Sequence, residues 1–136
     1  MNNGPALVSI LRQGCYLIAS IHTALDDSEM IRFQEDLIAR IGSQRARGVI
    51  IDVAALDVLD SFGSRTLRNI AEMARLRGAT TVIVGIQPDV AFAMVTLGMG
   101  TGSVYTALDL EEGLAYLDSR VTKRETRLDA ELNAPR

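Results

Sequence analysis

GVIIDVAALDVLDSFGSRTLRNIAEMARLRGATTVIVGI, residues 48–86, sets two short aliphatic runs on either side of a segment with helical spacing. Neither GVIIDV nor ATTVIVGI alternates with polar residues, as expected of parallel strands covered on both faces. Between them, at about 100° per residue, Phe62, Gly63, Thr66, Leu67, Ile70, Met73 and Ala74 fall on one side of a helix. Ser61, Arg65, Arg68, Glu72 and Arg75 fall on the other. A strand, an amphipathic helix and a second strand make one right-handed crossover unit, so the stretch predicts an α/β sheet with parallel central strands.

The flanking sequence extends the same pattern. Upstream, Ala6 to Leu11 and Cys15 to Ile21 bracket a Gln13-Gly14 pair suited to a tight turn, which predicts an antiparallel hairpin. Ser28 to Ile41 places Met30, Phe33, Leu37, Ile38 and Ile41 on one helical face, with Asp26, Asp27 and Glu29 at the positive end of the dipole. A stop near Gly42 is expected. Downstream, PDVAFAMVTLGMG reads as a helix with Pro88 in its first turn, and SVYTA as a last strand. DLEEGLAYL opens a helix with Asp109 and Glu112 in capping-box spacing and Leu110, Leu114 and Leu117 on one face. The order is ββαβαβαβα, a mixed five-stranded sheet with packed helices. We expect one domain over residues 1–118 and a charged, partly disordered C-terminal extension over 119–136, a fraying helix that ends in a loose tail with Pro135.

Composition narrows the function classes. The chain has 136 residues, 48% hydrophobic and 23% charged, which suits a single packed domain. A net charge of −3 argues against a general nucleic-acid binder, which carries a basic excess. No stretch reaches the roughly 18 apolar residues of a membrane span, and the N-terminal run has neither the basic flank nor the cleavage pattern of a signal peptide. A cytoplasmic protein is expected. Cys15, the one cysteine, has no intramolecular disulfide partner and reads as a buried structural thiol. Lys123 is the one lysine; all other basic charge is arginine.

The serine at residue 61 raises the functional question. Asp60 and Ser61 are both preferred N-cap residues, and a cap is worth about 1 kcal/mol with no further role. Gly63, costly inside a helix, implies close approach of the helix to the sheet. A phosphate on Ser61 would meet the free N–H groups and positive dipole of the helix start, with Arg65 one turn away and Asp57 and Asp60 opposing it.

IDVAALDVLDSFGSRTL, residues 51–67, resembles the signature region of the STAS domain family, the anti-sigma-factor-antagonist fold. There, a strand ending in Asp leads to a helix start that holds a phosphoacceptor serine. The hairpin, the crossover units and the final helix fit that family over residues 5–118, and the Asp60-Ser61-Phe62 triplet most resembles its small stressosome scaffold branch. The resemblance implies a non-enzymatic protein phosphorylated on Ser61 by a serine/threonine switch kinase and dephosphorylated by a PP2C-type phosphatase. It also implies homo- or hetero-oligomeric assembly with a sensory STAS paralogue, the assembly holding the kinase until phosphorylation releases it. The other reading under the same resemblance is a free anti-sigma-factor antagonist that binds an anti-sigma kinase directly. Either way, the expected partner-binding surface comprises Asp60, Phe62, Ser64, Arg65 and Arg68.

Other chemistries fit less well. A phosphoaspartate receiver with Asp52 as acceptor needs carboxylates at the end of the first strand, where Arg12 and Gln13 stand, and a lysine before Lys123. GMGTGS, residues 98–103, follows a helix and precedes a strand, the reverse of a dinucleotide loop. His22 is the one histidine, no G-x-S-x-G elbow accompanies it, and one His with one Cys does not make a zinc set. The arginine stripe after Ser61 is interrupted by Glu72 and has no interleaved aromatic residues for nucleic acid. No catalytic residue, cofactor or metal ligand is expected.

Overall fold

The computed structural model describes residues 6–97 and 104–132. Strands β1 (Val8–Gln13) and β2 (Tyr16–Ile21) form the antiparallel hairpin. Its turn is Gly14-Cys15, one residue later than expected, because Gln13 pairs with Tyr16 and Gly14 takes the positive φ of 61° that a tight hairpin turn needs. Cys15 therefore sits in the turn and is half-buried, which corrects the expectation of a fully buried thiol.

Helix α1 (Asp27–Gln44) leads to β3 (Gly48–Asp52), α2 (Ser61–Leu76), β4 (Thr80–Val84), α3 (Pro88–Thr96), β5 (Tyr105–Ala107) and α4 (Leu110–Leu132). The sheet order is β1-β2-β3-β4-β5, and β2 through β5 are parallel, as crossover connections require. GMGTGS and Pro135 lie outside the described residues.

The period of two along each strand divides the core into two layers. Leu17, Ala19, Ile21, Val49, Ile51 and Ile83 meet Phe33, Leu37, Ile41, Leu67, Ile70 and Ala74 on the face covered by α1 and α2. Tyr16, Ile18, Ile50, Val82 and Val84 meet Leu117 of α4 on the other. Central β3 and β4 thus carry aliphatic residues toward both layers because both of their faces are covered.

One helix end differs from expectation. Helix α1 passes Gly42 and stops at Gln44, since Arg45 takes the left-handed cap conformation (φ 51°) with its N–H bonded to the Gly42 and Ile41 carbonyls. Gly42 instead leaves room for the Arg77 guanidinium, which occupies the space a side chain there would need. Helix α4 runs unbroken through residue 119 to Leu132. Its first turn is capped by the Asp109 carboxylate accepting from the Glu112 N–H (2.9 Å). Farther along, the Tyr16 hydroxyl donates to Asp118 (2.7 Å) and Arg47 pairs with Glu125 (2.6 Å), tying the helix to β2 and to the start of β3. Burial and the Asp118 carboxylate push the Tyr16 phenol above the ordinary tyrosine range, so it stays a donor.

Beyond the carboxyl end of β4, Gly85 adopts φ +77°, and a side chain there would strike Ala54 at 2.9 Å. We expect Gly85→Ala to lower stability by more than about 1 kcal/mol, measured by urea unfolding, because both the backbone conformation and the space oppose a Cβ.

Candidate functional site

The loop between β3 and α2 leaves the carboxyl end of β3 beside the loop after β4, and three hydrogen bonds fix its course. The Val53 N–H donates to the Val84 carbonyl (3.1 Å), the Leu56 N–H to the Val53 carbonyl (2.9 Å), and the Gln87 side-chain amide to the Ala54 carbonyl (2.7 Å). The Asp52 carboxylate accepts from the Ala54 N–H (2.9 Å), so the residue that would be the acceptor in a receiver domain shapes this turn. Leu56 and Leu59 anchor the loop in the core, while Val58 between them is 66% exposed.

Asp60, not Ser61, is the N-cap. Its backbone is extended, its carboxylate accepts from the Gly63 N–H (2.7 Å), and its carbonyl accepts from the Ser64 N–H (2.9 Å). Ser61 is the first helical residue and is exposed. With Gly63 bonded to the cap, the N–H groups of Ser61 and Phe62 are the ones helix geometry leaves without an intrahelical acceptor, and they face the same end as the serine hydroxyl. The serine thus sits on a positive dipole end next to an acidic cap.

Gly63 serves a different purpose from the one expected. A Cβ on it would meet the Leu59 side chain at 2.8 Å and the Asp60 carboxylate at 3.1 Å. The glycine admits the residue before the cap and does not draw the helix onto the sheet. Beside this contact lies a small cleft of about 90 Å³, lined by apolar residues that include Ile21, Leu25, Leu56 and Val58, with Asp60 at its edge.

Four of the five expected partner-binding residues reach the surface, at least in part. Asp60, Arg65 and Arg68 are exposed, and Phe62 is half-buried against the core. Ser64 is the correction: it is 1% exposed, and its hydroxyl has no hydrogen-bond partner among the described residues. At 100° per residue it stands between the positions of buried Ala71 and exposed Arg75, at the border of the outer face, where packing of α2 covers it. Farther along the outer face, Arg75 pairs with Glu72 (3.1 Å). His22 lies just after β2 with its Nε2 at 2.6 Å from the Ser9 hydroxyl, so its near neighbour is a strand serine and not Ser61.

Two further contacts lie outside the expectations from sequence. Asp26 and Glu29 form a reciprocal capping box on α1 (2.8 and 2.9 Å), and the D-x-x-E spacing was a legible signal for it. Gln87, which holds the Ala54 carbonyl across 33 positions, carries no local signal.

The STAS domain family model matches residues 8–111. The chain is 29% identical over 90 residues to the RsbT co-antagonist protein RsbRA of Bacillus subtilis, covering 66% of this chain and 33% of that protein. It therefore spans about a third of that relative's length. Among solved structures, RsbS of Moorella thermoacetica, in a serine-to-glutamate variant, is 35% identical with a TM-score of 0.77, over 86% of this chain and 99% of that one. A chain from the molecular architecture of the stressosome, described as a signal integration and transduction hub, is 32% identical with a TM-score of 0.69, over 83% and 98%. With a hairpin feeding a mixed five-stranded sheet, and with that match extending from the first strand into the last helix, the chain belongs to the STAS domain family.

Proposed function

We propose that this protein is a non-enzymatic scaffold of a stressosome-like signalling assembly, which retains a serine/threonine switch kinase and releases it when Ser61 is phosphorylated. The observation that carries the reading is the position of Ser61: exposed, first in α2, and held at the end of a loop pinned by its own hydrogen bonds. A kinase needs a hydroxyl that it can reach. A switch also needs a fixed surface around it, so that a charge added at one atom changes the binding of a partner that touches its neighbours. Arg65, Arg68, Asp60 and Phe62 supply that surface.

The likeness to RsbS and to a stressosome chain, both above 30% identity over most of each chain, favours the scaffold over a free anti-sigma-factor antagonist. In this reading the partners are the kinase, a sensory STAS paralogue with which the chain co-assembles, and a PP2C-type phosphatase that resets Ser61. The working compartment is the cytoplasm. Among the described residues no helix is long and apolar enough to cross a membrane.

Electrostatics gives the release its sign. The helix start favours added negative charge by about 0.3–1 kcal/mol, so the phosphate is tolerated in the folded domain. The exposed carboxylates of Asp57 and Asp60 stand beside it, so the face as a whole becomes strongly negative. A partner that docks on the unmodified face meets uncompensated charge after modification.

Intact-mass analysis after incubation with the switch kinase and ATP tests the site. We expect one phosphate on the parent chain and none on Ser61→Ala; unchanged phosphorylation of that variant would sink the assignment. Asp60→Ala separates cap from acceptor: it should cost about 1 kcal/mol of stability in urea unfolding while the chain still accepts phosphate. Ser61→Asp should weaken kinase retention in a pull-down, and kinase held as firmly as by the parent would exclude phosphorylation as the release signal. Co-expression with a sensory paralogue should give a particle many times the mass of either chain by light scattering, whereas a free antagonist would stay small.

A further inference from the structure

The end of the sheet opposite Ser61 carries a different chemistry. At the amino ends of β3 and β4, a cavity of about 390 Å³ opens between the sheet and the second half of α4, lined by Arg47, Thr80, Arg120, Val121, Lys123 and Arg127. A neighbouring cavity of similar volume shares Arg47 and adds Arg45 and Arg77. Six of the fourteen basic residues thus gather at one end of a chain whose net charge is −3.

The counter-charges at the first cavity are few. Glu125 takes Arg47 (2.6 Å) and Glu131 takes Arg127 (3.3 Å), both as exposed pairs, which contribute little and exchange readily. The Arg120 guanidinium lies over the Tyr105 ring at 5.4 Å, a contact to its face that leaves its edge N–H groups to donate elsewhere. Lys123 has no ion pair among the described residues. The Thr80 hydroxyl adds a neutral donor at the same wall.

From this arrangement we infer a binding site for a small polyphosphate anion between the domain core and the extension of α4. Three guanidinium forks and one ammonium around a few hundred cubic ångströms match a compact ligand with several tetrahedral anionic groups. Among the described residues no aromatic side chain lines the cavity, so they offer no platform in its wall on which a base would stack. An acidic peptide would bring backbone amides, for which Thr80 is the one neutral polar side chain in the wall.

The ligand would also join two parts of the molecule. Arg47 and Thr80 belong to the sheet, whereas Arg120, Lys123 and Arg127 belong to a stretch of α4 beyond the residues that the family model matches. Bridging them clamps the extension against the core.

Titration of the full chain with inorganic tripolyphosphate at fixed ionic strength, followed by calorimetry and hydrogen exchange, tests this site. We expect saturation at one ligand per chain, slower exchange across residues 119–132, and at least a tenfold loss of affinity in the Arg120→Glu/Lys123→Glu double variant. The milder Arg120→Gln/Lys123→Gln pair should weaken binding in the same direction, which keeps the test valid if charge reversal unfolds the extension. Non-saturating heats, or equal affinity in both double variants, would overturn the proposal. A nucleoside triphosphate binding as tripolyphosphate does supports recognition of the phosphate chain; much tighter binding of the nucleotide, or of hexaglutamate, overturns it.

Discussion

Burial of β3 on both faces is the constraint from which the rest of the architecture follows. Val49 and Ile51 point into the layer under α1 and α2, while Ile50 points into the layer under α4. Covered on both faces, β3 pairs in parallel with β2 and β4 through crossovers, and each crossover delivers a loop and a helix start to the carboxyl end of its strand. The position of Ser61 is a consequence of that geometry. It begins the helix that follows this strand, and the loop leading to it is short enough for Leu56 and Leu59 to anchor it in the same core.

The cap and the acceptor at this helix start have opposite electrostatic preferences. An acidic N-cap satisfies an N–H group and is worth about 1 kcal/mol, yet it places a negative charge next to the hydroxyl that would receive more. A serine at the cap itself would avoid the conflict, but its hydroxyl would then be engaged in holding the helix, as the Asp60 carboxylate now is. Dividing the tasks between adjacent residues keeps the helix start intact whatever happens at Ser61. The cost is local repulsion after modification, and a partner interface can use that repulsion.

The elements were legible because their signals are local. Aliphatic strands, helical periodicity, Pro88 in a first turn and Gly14 in a hairpin turn each depend on residues a few positions apart. What escaped was set across the chain. Gly42 looked like a helix stop, yet it makes room for Arg77 of another element; Gly63 looked like a helix-to-sheet contact, yet it admits Leu59. Ser64 neighbours Ser61 on the helix and so is expected on the docking surface, but the packing of α2 buries it. At the site itself, the alternation of Ser61, Arg65 and Arg68 on one outer face was readable from spacing, whereas the pinning of the loop by Gln87 was not.

The same parallel topology also sorts charge. Every helix start lies at the carboxyl end of the sheet, and acidic residues are favoured there by the dipole: Asp26, Asp27 and Glu29 at α1, Asp60 at α2, Asp89 at α3, Asp109, Glu111 and Glu112 at α4. The opposite end collects Arg45, Arg47 and Arg77 near the strand starts and the cations of α4. A net charge of −3 therefore averages over two unlike ends. With a Debye length of about 8 Å at physiological ionic strength, a partner at Ser61 responds to the acidic end and is screened from the basic one. A phosphate added at Ser61 must consequently be weighed against the carboxylates of its own end, and on that scale two further negative charges change the character of the face.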